Sequence, residues 1–84
     1  MKIEQAIDWQ KVKASLLKQM KGIGYNPDFS KMIKNIDSMV TNLSKVEVEA
    51  RRIRKSNMIQ NQLDGINKAI DHLEKLLLIA QLMK

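Results

Sequence analysis

Cysteine is absent from the 84 residues, so disulfides and thiolate metal sites are excluded. That absence fits a reducing compartment and sets the expectation of a cytoplasmic protein. Histidine occurs once, at His72, which leaves zinc without a second nitrogen ligand. A single proline and three glycines leave few places where a helix must stop. Aromatics are limited to Trp9, Tyr25 and Phe29, too few to stack a run of single-stranded bases. No apolar run approaches the roughly 20 residues of a membrane span, and Glu4 and Asp8 interrupt the start before a secretory segment could form.

Hydrophobic periodicity organises what remains. Ile59, Leu63, Ile66, Ile70, Leu73, Leu77 and Ala80 follow one another at alternating steps of four and three, a heptad seam. Ala69 and Leu76 widen it on one flank, which suits a helix packed against two neighbours. The last turns, Leu76 to Met83, are apolar on nearly every side and need a cover.

Upstream, the spacing predicts a helix over 3–21. Glu4, Asp8, Lys11, Ser15 and Lys18 form its solvated stripe, Trp9 is its largest apolar anchor, and Lys13 has to snorkel. Gly22-Ile23-Gly24 reads as a helix stop; it follows no strand and lacks the later glycine and lysine of a phosphate loop. Asn26 and Pro27 suit the cap and first position of a second helix. Its stripe runs Phe29, Met32, Ile33, Ile36, Met39, Val40 and Leu43, then drifts, because Glu47 takes the next regular position and Val46 has to substitute. Methionines 20, 32, 39, 58 and 83 read as core filler at helical spacing.

Three chain paths follow Pro27. A turn near Ser56-Asn57 gives helices over 27–55 and 58–84 folded as a hairpin. A single helix to Lys84 would be about 85 Å long and could not stand without a partner. A turn at Asp64-Gly65 would cut the seam. The hairpin is the expectation. The fold class is therefore all-α, one domain over residues 1–84, with an antiparallel, coiled-coil-like hairpin and the first helix packed along it.

Fifteen basic against nine acidic residues give a net charge of +6. Residues 29–57 hold seven basic and three acidic groups, whereas residues 58–84 hold three of each. Arg51, Arg52, Arg54 and Lys55 gather at the expected hairpin tip. They complement a helix C-terminus and could grip an anionic partner. No serine has a histidine placed for a triad, and the carboxylate pairs Glu4/Asp8 and Glu47/Glu49 sit among cations. The chain reads as a non-enzyme without cofactor or metal. Its expected partners are itself, as a dimer or higher oligomer through Ile66, Ile70, Leu73, Leu76, Leu77, Ala80 and Met83, and another protein that it serves as adaptor, chaperone or inhibitor. Weak nucleic-acid binding at the basic tip is the alternative; weak membrane association of the C-terminal apolar end is a third reading and the least favoured. The excess of Lys, Ile, Asn and Met matches an AT-rich genome and tilts the origin toward a phage, a mobile element or a low-GC bacterium.

Overall fold

The computed structural model describes residues 1–24, 26–53 and 56–83, without the side chains of Arg51, Ile53 and Ser56. A short 3-10 turn, Ala6–Asp8, leads into α1 (Trp9–Ile23); α2 (Pro27–Ile53) and α3 (Ser56–Leu82) follow. The two long helices pack against each other as an antiparallel hairpin, and α1 lies along it. The body measures 49 × 18 × 15 Å. Each hairpin arm has 27 residues, about 40 Å of helix, whereas the 15 residues of α1 cover roughly half that length.

The seam of α3 holds the molecule together. Leu63, Ile66, Ile70, Leu73 and Leu77 are buried, and Ile59 and Ala80 pack at the edge of the same core. From α2 they meet Phe29, Ile33, Ile36, Val40 and Leu43; from α1 they meet Trp9, Val12, Leu16 and Met20. A fully buried Leu or Ile side chain contributes on the order of 1.5–3 kcal/mol, so this one cluster dominates stability.

The helix ends follow local chemistry. Gly24 closes α1 at φ 102°, and its N–H donates to Met20 O at 3.0 Å. Of the two candidate stop glycines, it is thus Gly24 that takes the positive φ, while Gly22 is still helical. Asn26 Oδ1 accepts the Asp28 N–H at 2.9 Å, which makes Asn26 the cap ahead of Pro27. Asp64 and Gly65 lie inside α3, so the chain does not turn there. Ser56 and Asn57 are already helical, ahead of the expected start at 58, whereas Arg54 and Lys55 lie outside the described residues.

At the N-terminus helix begins later than the expected residue 3, because Ile3 is buried ahead of the first turn and its backbone is bonded to a side chain. The Ile3 N–H donates to Asn67 Oδ1 at 2.8 Å, and Asn67 Nδ2 donates to Ile3 O at 3.1 Å. Asp8 then accepts the N–H groups of Glu4 and Gln5, both at 3.2 Å, and the turn forms. The Ala6 N–H, orphaned in that first turn, donates to Glu47 Oε1 at 3.2 Å. Glu47 therefore interrupts the α2 stripe because it caps another element.

Candidate interaction surfaces

Two tethers orient α1. Trp9 Nε1 donates to Asp37 Oδ1 at 2.6 Å, and Lys13 Nζ meets Asp37 Oδ2 at 2.9 Å. Together with the Ala6–Glu47 bond they make α1 antiparallel to α2 and parallel to α3. Lys13 does snorkel, and it finds a carboxylate at the end of its stem.

With α1 so placed, the residues expected at an interface divide. Ile66, Ile70, Leu73 and Leu77 are wholly buried by α1 and α2 of the same chain, so no partner reaches them while the bundle is closed. Leu76 and Ala80 are half-buried at the core edge. Met83 is 82% exposed, and Leu82 (79%), Leu78 (56%) and Ile79 (51%) stand exposed with it. The cluster occupies the last turns of α3, at the end of the bundle where α1 passes into α2.

A second surface lies on the side of the hairpin opposite α1. Met32, Asn35, Ile36 and Met39 of α2 and Ala69 and His72 of α3 line a shallow recess there. A Cβ on Gly65 would stand 3.8 Å from Met39 Cε, which extends the same strip. Among the methionines only Met20 is buried; Met32 and Met39 are half-buried, and Met58 and Met83 are exposed. Unbranched thioether chains suit such edges because they adapt to what covers them. His72 lies on the rim. Among the described residues no three of His, Asp and Glu converge as metal ligands would.

Of the basic cluster, Arg52 is exposed at the distal end of α2. The Arg51 side chain, Arg54 and Lys55 lie outside the described residues, so their mutual geometry is not part of the site. The carboxylates are better defined: Asp8, Asp37 and Glu47 all spend their oxygens on backbone or indole donors of the chain. The roles of Asp37 and Glu47 had no sequence signal, since each partner is identified only once the helices are docked, whereas Asp8 bonds backbone three and four residues before it.

No protein-family model matches the chain, and no curated protein or solved structure is significantly similar to it. No described helix is long and apolar enough to cross a membrane.

Proposed function

We propose that this chain is a small non-enzymatic cytoplasmic protein that works by protein–protein interaction, as an adaptor, chaperone or inhibitor, and that it associates with itself. The observation that carries this reading is the apolar end of α3. Leu78, Ile79, Leu82 and Met83 are four large side chains exposed within six residues. Scattered single apolar residues are normal on a surface, but a contiguous cluster of this kind costs free energy in water until it is covered. A second copy supplies the same cluster, and a two-fold arrangement lets each cover the other.

The test separates assembly from folding. Leu82→Asp and Met83→Asp alter exposed residues and leave the core intact. Sedimentation equilibrium should give an oligomer for the wild-type chain and a 9.7 kDa species for both variants, with helical circular dichroism unchanged. A wild-type chain that stays monomeric at roughly 100 μM would defeat self-association. Leu73→Asp and Leu77→Asp do not discriminate, because a charge at either buried site opens the bundle itself.

A further inference from the structure

The solvent side of α1 differs in charge from the rest of the surface. From Trp9 to Ile23 the helix has four lysines and no carboxylate. Lys11, Lys18 and Lys21 are exposed, while Lys13 is paired with Asp37. Of the carboxylates near this helix or the turn before it, Asp8, Asp37 and Glu47 are already engaged and Glu74 pairs with the N-terminal amine; Asp71 and Glu74 flank Gln19 on the α3 side, two residues and about 200° around the helix from Leu17 and Lys21. Two large apolar side chains stand among the lysines: Ile7, 75% exposed, and Leu17, 40% exposed. Ala14, Leu17 and Lys21 follow at steps of three and four, so they lie on one line down α1, and Ile7 stands in the 3-10 turn ahead of it. Beside that line, between α1 and the first turns of α2, is a recess of about 510 Å³. Leu17, Met20, Lys21, Gly24 and Ser30 line it, and its walls are mostly apolar. Lys34, one helical turn after Ser30, is exposed on the same flank.

We propose that this recess docks an acidic amphipathic helix of a partner protein. One apolar side chain of the partner enters between Leu17 and Met20, and carboxylates on its neighbouring turns meet Lys18, Lys21 and Lys34. This inference rests on the reading of the chain as a protein-interaction module and names the chemistry of its partner. Apolar anchors flanked by charges of one sign are how helices select partners of the opposite sign. Other occupants fit less of the surface. A nucleic-acid duplex would use the lysines and leave Leu17 and Ile7 unpaired. A bilayer needs a continuous apolar face, and that face of α1, with Trp9, Val12, Leu16 and Met20, is spent in the core. A second copy brings its own +6 charge against the lysines.

The probe is a fluorescein-labelled synthetic helix of about three heptads with leucine along one face and glutamate beside it. Anisotropy is titrated with the full chain at about 50 and 300 mM salt. A Gln-for-Glu version of the peptide, a short DNA duplex and phosphatidylglycerol vesicles are run in parallel. The glutamate peptide should bind at least about tenfold more tightly than its glutamine version, and salt should narrow the difference. Leu17→Ser and Lys21→Glu should each weaken it by about fivefold or more, and Lys68→Glu on α3 should not. Circular dichroism verifies that each variant is folded; Lys21 is exposed, so its variant keeps the core whatever happens at Leu17. Equal binding of the two peptides, binding indifferent to both α1 variants, or tighter binding of the duplex or vesicles through Lys21 would each overturn the proposal. Leu82→Asp should bind the peptide as the wild-type chain does, so loss of self-association and loss of docking are read separately.

Discussion

Asn67 and Ile3 exchange two hydrogen bonds across 64 residues of sequence: the Asn67 side chain accepts from the Ile3 N–H and donates to the Ile3 carbonyl. The non-helical N-terminal segment is thereby held on α3, with Ile3 pressed into the core. Asn67→Ala leaves both backbone groups partly buried without these partners. It should cost about 1–3 kcal/mol by urea denaturation, equivalent to roughly 4–8 °C in Tm per kcal/mol for a chain of this size. Asn67→Asp retains the acceptor but points its second oxygen at the Ile3 carbonyl, so it should not rescue. An Asp variant as stable as the parent would show that this pair is incidental.

Trp9 and Asp37 provide a second check, on the register of α1. Trp9→Phe keeps most of the buried area and removes the indole donor, while Lys13 still faces Asp37. The expected loss is about 1.5–3 kcal/mol, the range for hydrogen bonds to charged groups. Asp37→Leu removes the acceptor from both donors at once. Combining it with Trp9→Phe should cost less than the two single changes added together, since both break one interaction. Strict additivity in that double-mutant cycle would mean the bond does not couple α1 to α2.

These pairs also mark how far the sequence alone could be read. The seam of α3, the Asn26-Pro27 cap and the hairpin were legible, because each is a periodic or local pattern. Trp9 was legible as an anchor from size alone. Asn67 and Glu47 were not. A polar residue at or beside an apolar stripe reads as a blemish until its partner is known, and here the partner is a backbone N–H some forty to sixty residues away. The late start of the first helix has the same origin: Ile3 fits a helical stripe, but the chain satisfies its backbone through Asn67 instead. The interface is the third case. A seam rich in Ile and Leu announces burial without saying whether the cover is the same chain or another.

The glycines should respond in opposite directions. Gly65 is inside α3, and a Cβ there would meet only Met39 Cε, at ordinary van der Waals distance. Gly65→Ala should therefore stabilise by about 0.5–1 kcal/mol, the helix-propensity difference. Gly24 has open space around it but a φ of 102°, which side-chain-bearing residues rarely adopt. Gly24→Ala should destabilise by about 1 kcal/mol or more despite the room available. Thermal melts of the two variants must move to opposite sides of the parent; a shift in the same direction would contradict the helix assigned through Gly65 or the cap assigned at Gly24.

The remaining prediction concerns the distal end of the hairpin and the alternative function, nucleic-acid binding. Arg52 is exposed there, and Arg51, Arg54 and Lys55 adjoin it in sequence. A polyanion bound at this tip releases counterions, so its affinity should fall by roughly 0.9 log units per log unit of salt for each phosphate neutralised. Changing Arg51, Arg52 and Arg54 to Gln should flatten that slope and leave helix content intact. The choice of control matters, because the exposed lysines of α1 form a basic face of their own. Lys2, Lys68 and Lys75 are better, since they remove the same charge from places that carry Glu4, Asp71 and Glu74 nearby in the chain. Weak, sequence-independent binding near 50 mM salt that disappears toward 150 mM is the expected result, in keeping with the few phosphates one small tip can reach. Equal losses in the two triple variants would reduce the effect to net charge. Binding that persists at physiological salt and is lost only with the three arginines would make nucleic acid the principal partner and displace protein–protein interaction as the function.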